Sequence, residues 1–258
     1  MTRYDNIIVG VGEIGMPLYE LMNGVFKTLP ISQSRFKGNS EIEAECDFLH
    51  ICLPGELKNF EQLVADYYNK YKPRFIFIHS TVFPGTTKTI NFLIGKDVAI
   101  HCPVHGKHQN NQMKKDMLRY PKYLGVPENM ADNDVQVAKD HLAKMGFPTI
   151  VVFKKPETTE WAKLLATTLF GLQIAFAQEV ERICDEQELN YDEVTHFFPI
   201  QRDVRKAPIF PGFIGGHCVM PNVKILKQIY GCGLWDWMED SNEKKRIRDG
   251  VEVDKRGR

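Results

Sequence analysis

The 258-residue chain has no charge of one sign to spare: thirty-three lysines and arginines are balanced by thirty-three aspartates and glutamates. That balance removes the global positive field on which non-specific binding to nucleic acid or an anionic membrane depends. The chain also lacks any apolar run near the roughly 18 residues of a membrane span. Its start, Met1-Thr-Arg-Tyr-Asp5, passes directly into a strand-like Asn6-Ile-Ile-Val-Gly10 in place of a signal peptide. A cytoplasmic protein is expected, with neither nucleic acid nor membrane as partner. Cysteine is sparse and scattered: Cys46, Cys52, Cys102, Cys184, Cys218 and Cys232 never form Cys-x-x-Cys, which fits reduced thiols better than a disulfide framework. There is no internal repeat and no low-complexity linker.

What is present reads as an α/β protein. Asn6-Ile-Ile-Val9 is a short, largely apolar run, Gly10-Val-Gly12-Glu13-Ile14-Gly15 follows as a turn, and Met16-Pro17-Leu18 opens a helix with proline in its first turn. Strand, Gly-x-Gly-x-x-Gly, helix is the dinucleotide fingerprint: a tight turn, close backbone approach to a pyrophosphate, and close helix–strand packing. Gly10, Gly12, Glu13, Ile14 and Gly15 are therefore candidate cofactor-binding residues. Further strand-like runs at 48–52, 75–79, 97–101, 122–126 and 149–153 alternate with helical stretches at 59–71 and 135–144, which predicts a parallel sheet. We expect an N-terminal Rossmann-like parallel sheet domain over residues 1–155. A smaller, mainly helical domain over 156–238 follows, opened by one long, largely apolar helix from Glu160 to Cys184 with part of its surface buried against a second subunit. The charge-rich end, residues 239–258, has no apolar periodicity and reads as a solvated tail.

The second chemical feature is Pro211-Gly-Phe-Ile-Gly-Gly-His-Cys218-Val-Met-Pro-Asn222. Glycines ahead of a cysteine expose amide N–H groups, and these or a neighbouring imidazolium at His217 lower a thiol pKa. An inert buried cysteine is the plain alternative.

With these pieces in order the sequence resembles the UDP-glucose/GDP-mannose (nucleotide-sugar 6-) dehydrogenase family. The motifs that carry the resemblance are the glycine turn, Ser80-Thr-Val-Phe-Pro-Gly-Thr-Thr87, Glu160-x-x-Lys163 with Ile174-Ala-Phe-Ala-Gln-Glu179, and the Pro211–Cys218 stretch, together spanning about residues 6–226. The resemblance implies an NAD-dependent oxidation of a primary alcohol, acting on a sugar or sugar-like substrate in a homodimer. Cys218 is then the covalent nucleophile, Lys163 stabilises an oxyanion or positions water, and Ser80 and Thr81 lie near the nicotinamide. A lysine on a helix surface and a threonine capping the helix that begins near Gly85 are the plain readings of Lys163 and Thr81.

Several positions depart from the family. Asn222 stands where a carboxylate is expected, and Thr167 where an asparagine is expected. The glutamate-bearing substrate loop is replaced by His101-Cys-Pro-Val-His105-Gly-Lys-His108, and the sequence stops short of the family's third, UDP-binding domain. His105, His108, His217 and Asn222 are the candidate substrate contacts. The imidazoles and Cys102 have spacings that could gather a divalent cation, but no resident metal is expected. No Asp or Glu occurs between Glu20 and Glu41 to hold the ribose 2′-hydroxyl of NAD; Ser32, Ser34, Arg35 and Lys37 lie there instead, which leaves NADP open. Two other readings remain: a single-step hydroxyacid-type dehydrogenase in which Lys163 acts and Cys218 only packs, and a cofactor-binding protein that has lost catalysis.

Overall fold

The computed structural model describes residues 2–32, 35–36, 38–106, 112–196, 210–216 and 218–252. They form two compact units, Met1–Lys163 and Leu164–Arg258.

The first unit is built on a seven-stranded sheet: β1 (Thr2–Val9), β2 (Thr28–Ile31), β3 (Ala44–Ile51), β4 (Phe75–Ile78), β5 (Ala99–His101), β6 (Lys122–Gly125) and β7 (Ile150–Phe153). Their spatial order is β2-β1-β3-β4-β5-β6-β7. Strand residues alternate between two cores. Ile8, Phe75, Phe77 and Ile100 face one layer, with Leu18 and Met22 of α1 (Gly15–Asn23) and Ala138 and Leu142 of α5 (Asp132–Lys144). Ile7, Val9, Ile76 and Ile78 face the other, with Phe60 and Val64 of α2 (Phe60–Tyr71) and Ile90 of α3 (Thr86–Ile94). Strands buried on both faces read as apolar runs, which is why the sequence signals a parallel sheet.

Three features differ from the expectation. The sheet is parallel except where β5 meets β6, which pair antiparallel through His101 and Gly125; apolar periodicity carries no strand direction. Thr28-Leu-Pro-Ile31 forms a strand despite its proline, because β2 is an edge strand and Pro30 has no ladder bond to donate on the open side. A short helix α4 (Gln112–Arg119) buries Met113 and Met117 in a stretch that looks polar.

The second unit contains most of α6 (Pro156–Glu186), then α7 (Tyr191–His196), α8 (Val219–Ile229) and α9 (Gly233–Arg248). The expectation of a solvated tail from residue 239 fails over this helix. The stretch to Arg248 is helical, and Met238, Ser241, Asn242 and Lys245 are buried. Lys245 pairs with Glu181 of α6 at 2.8 Å, so charge in this stretch binds helix to helix.

Candidate active site

In the first unit the chain order about the sheet reverses between β1 and β3, and open α/β sheets bind ligands at the carboxyl ends of the strands beside such a reversal. The glycine turn occupies that place, and its three glycines have three separate causes. Gly10 has φ +90°, and a Cβ there would lie 2.7 Å from the carbonyl oxygen of Cys52. Gly15 opens α1, and a Cβ there would lie 1.9 Å from the carbonyl oxygen of Gly10. Gly12 is exposed, its φ is not in the positive range, and nothing comes within 4 Å of a Cβ placed on it. Among the described residues nothing requires glycine at position 12. The space outside it fits the close approach of a dinucleotide pyrophosphate to backbone, with the N-terminus of α1 toward the phosphates. Glu13 is exposed and Ile14 is the N-cap of α1.

The loop after β4 stacks beside this turn. Ser80 Oγ donates to the carbonyl of Leu53 at 2.5 Å, and Gly55 must be glycine because a Cβ would lie 2.0 Å from the Thr81 carbonyl oxygen. Thr81 is half-buried. The helix that follows is not capped by Thr81: α3 begins at Thr86 after Gly85, and its cap comes from the first turns of α6. Glu160, with no exposed surface, accepts the Gly85 N–H at 2.6 Å, the Thr87 N–H at 2.9 Å and the Thr87 hydroxyl at 2.6 Å. A carboxylate at a helix N-terminus is favourable; burial nevertheless pushes its pKa above the ordinary value, against the pull of those three donors.

One turn further on, Lys163 Nζ donates to the carbonyl of Val104 at 2.9 Å. His105 is half-buried next to it, packed edge-on to Tyr123, and burial followed by the Lys163 charge lowers its pKa to about 4. Lys163 and His105, predicted from motifs 58 positions apart, are thus neighbours in the fold. His101 and Cys102, by contrast, are interior residues with no exposure. The Ser80 carbonyl can only accept, so His101 Nε2 carries the proton (3.2 Å), and Nδ1 lies 2.8 Å from the Thr159 hydroxyl oxygen. Burial lowers the His101 pKa to about 3 and raises that of Cys102. His101 braces the Ser80 loop against α6 and does not face a substrate. Among the described residues no group of three or more His, Cys, Asp or Glu side chains could hold a metal ion.

The sequence reading misses a buried polar seam beneath this site. The Cys102 carbonyl fixes a proton on His79 Nδ1 at 2.8 Å; His79 Nε2 then accepts from His50 Nδ1 at 3.0 Å, and His50 Nε2 accepts from His141 Nε2 at 3.1 Å. Burial holds all three pKa values well below the usual histidine range, so the chain is one of neutral imidazoles. Lys122, also buried, donates to the carbonyls of Cys102 and Pro103 at 2.9 and 3.0 Å, and its pKa is lowered by burial. The available signal was a histidine ending or interrupting each apolar run, in Phe48-Leu-His-Ile and Phe75-Ile-Phe-Ile-His.

In the second unit Cys218 is half-buried and is the N-cap residue of α8. A sulfur at that end of an 11-residue helix lies where the helix dipole favours a thiolate. The helix comes close to α6 at Gly171, where a Cβ would lie 2.3 Å from Val219 Cγ1. Asn222 is buried in the first turn of α8. Ser32 directly follows β2 and Arg35 is exposed, with its N–H 3.4 Å from Ser32 Oγ. His108, His217, Ser34 and Lys37 lie outside the described residues.

A family model, "UDP-glucose/GDP-mannose dehydrogenase family, central domain", matches residues 157–244. A UDP-N-acetyl-D-mannosamine dehydrogenase of Methanococcus vannielii is 26% identical, the match covering 98% of this chain and 60% of that protein. The chain thus spans less than two thirds of that relative's length. The solved structure of a UDP-D-ManNAc dehydrogenase from Pyrococcus horikoshii superposes with a TM-score of 0.76 at 17% identity, over 95% of this chain and 70% of the other. A 3-hydroxyisobutyrate dehydrogenase of Mycobacterium tuberculosis shares the fold with a TM-score of 0.66 at 15% identity, over 96% and 94% of the two chains. With the ordered motifs, these matches make the chain similar to the UDP-glucose/GDP-mannose dehydrogenase family, through a central domain matched over residues 157–244.

Proposed function

We propose that the chain is an NAD(P)-dependent dehydrogenase of CH–OH groups, acting on a nucleotide sugar or a related sugar alcohol, with Cys218 as covalent nucleophile. The observation that carries the cofactor half is Gly12: a glycine that no described residue requires, at the sheet's reversal point, beside the Ser80–Thr81 loop. A bound nicotinamide supplies the hydride acceptor. The chain's own groups would divide the work. Lys163 places a positive charge for the oxygen of the reacting carbon, Thr81 orients a hydroxyl or a water, and His105 meets the substrate's polar groups. Cys218, favoured as thiolate at the start of α8, adds to the aldehyde carbon and lets a second oxidation proceed from a tetrahedral adduct. Asn222 cannot act as a base, so water activation falls to another group.

A homodimer is part of this reading. Leu165, Leu169, Phe176 and Ile183 of α6 are exposed at helical spacing, an apolar stripe suited to a second copy. The hydroxyacid-type reading is kept alive by the fold shared with the 3-hydroxyisobutyrate dehydrogenase, and needs Lys163 but not Cys218.

The test is purified protein with NAD or NADP and a panel of UDP-linked hexoses and N-acetylhexosamines, followed by nicotinamide absorbance, for the unaltered chain and Cys218→Ser. Reduction by the unaltered chain that Cys218→Ser abolishes supports the thiol mechanism. Full retention of oxidation in Cys218→Ser removes it and leaves the single-step reading. Cofactor binding without reduction across the panel favours a protein that has lost catalysis.

A further inference from the structure

The glycine-rich approach to Cys218 is gripped by two side-chain amides from helices distant in sequence. Asn242 of α9 takes both backbone groups of one residue: its Oδ1 accepts the Ile214 N–H at 2.8 Å and its Nδ2 donates to the Ile214 carbonyl at 3.0 Å. Gln178 of α6 donates from Nε2 to the Gly212 carbonyl at 2.7 Å. The two amides meet directly, Gln178 Nε2 donating to Asn242 Oδ1 at 3.4 Å; Ser241 Oγ donates to Gln178 Oε1 at 2.9 Å, and Arg182 in turn donates to Ser241 Oγ at 2.9 Å. Gln178 has no exposed surface, Ser241 has 1% and Asn242 6%.

Buried amides are costly unless every polar group is met, and here their partners are the backbone of the one segment with most freedom to lose. A carboxamide bonded to both the N–H and the C=O of a residue does for the loop what a neighbouring strand would do. Beyond Ile214 only Gly215, Gly216 and residue 217 precede Cys218, and Gly216 sits at φ +79° with no described residue within 4 Å of a Cβ placed on it. The other side of the cysteine is fixed by Val219 against Gly171.

We propose that Asn242, seconded by Gln178, is a positioning residue for Cys218: it holds the Gly212–Ile214 backbone and thereby sets how the chain enters the first turn of α8. This rests on the reading of Cys218 as the working thiol, and the test is independent of any dehydrogenase activity. The full chain, unaltered and as Asn242→Asp, is alkylated with iodoacetamide from mildly acidic to alkaline pH, and modification of Cys218 and Cys232 is followed by mass spectrometry. Asn242→Asp keeps the acceptor for the Ile214 N–H but sets a carboxylate oxygen against the Ile214 carbonyl. The Cys218 rate is expected to change by about tenfold or more, with a moved pH midpoint, while the Cys232 rate stays close to that of the unaltered chain at temperatures where the variant is folded. Unchanged rate and midpoint for Cys218 in the folded variant would overturn the proposal. Hydrogen exchange on the unaltered chain decides the case if the variant fails to fold. The Ile214 amide should be protected like the amides within α9; exchange as fast as at Gly215 and Gly216 overturns the clamp. Failure of the dehydrogenase reading shows instead as absent oxidation with the Cys218 thiol chemistry intact.

Discussion

Two glycine-rich segments of this chain each lead into a helix N-terminus, and they are held by opposite means. The turn from Gly10 to Gly15 is fixed by backbone against backbone: Gly10 packs on the Cys52 carbonyl and Gly15 on the Gly10 carbonyl, with β1 and β3 laddered beneath. The segment from Pro211 to Gly216 has no ladder, and it depends on side chains of Gln178 and Asn242. A backbone-held turn writes its requirements in its own residues. A side-chain-held loop writes them elsewhere, in helices separated from it by 34 and 28 positions.

The largest expected break between the two regions is by acid. Among the described residues the buried histidines, His50, His79, His101 and His141, all lie in the first unit. Their folded-state pKa values are depressed, so below about pH 6.5 the unfolded chain binds protons that the folded unit refuses. Stability is complete above that pH and falls by up to about 1.4 kcal/mol per pH unit for each such imidazole. By pH 5 the first unit should unfold while α9 amides keep their protection from hydrogen exchange. Simultaneous loss in both units would break the contrast.

Next is Gly15→Ala, whose Cβ has only a carbonyl oxygen to displace. It should cost about 3 kcal/mol or more, read as a lowered denaturant midpoint. Gln178→Ala should cost less, about 2 kcal/mol, by leaving the half-buried Gly212 carbonyl without its Gln178 donor. Smallest in stability is Gly12→Ala, within about 0.5 kcal/mol of the unaltered chain. The same substitution should weaken dinucleotide binding about tenfold, or about 1.4 kcal/mol, by calorimetry. Cofactor affinity untouched by Gly12→Ala would remove the assignment of that turn.

These differences explain what the sequence disclosed. The strand–turn–helix unit at Gly10–Gly15, the apolar strands and the long α6 are local patterns and were readable. Direction of β6 was not, because the side-chain period is the same either way. β2 was hidden by Pro30, which an edge strand tolerates. Lys163 and His105 were found as separate motifs, and their proximity follows from α6 starting against β5 through Thr159 and against the start of α3 through Glu160. His101 and Cys102 looked like ligands because spacing carries no information on burial. Gln178 was visible only as part of a motif, and Asn242 not at all, since a polar residue in a charged stretch resembles solvated surface until a loop is found resting on it.

The clamp on the cysteine loop also bears on how the protein comes into being. Cys218 leaves the ribosome before Asn242 does, so the loop is made in full, with its motif intact, while the residue that fixes it has yet to be translated. A message truncated within α9 would yield a polypeptide that still carries every recognisable signature up to the cysteine, yet has that cysteine on an unheld tether. Presence of the motif in a shortened gene is thus no guarantee of a set thiol; α9 has to be read as well.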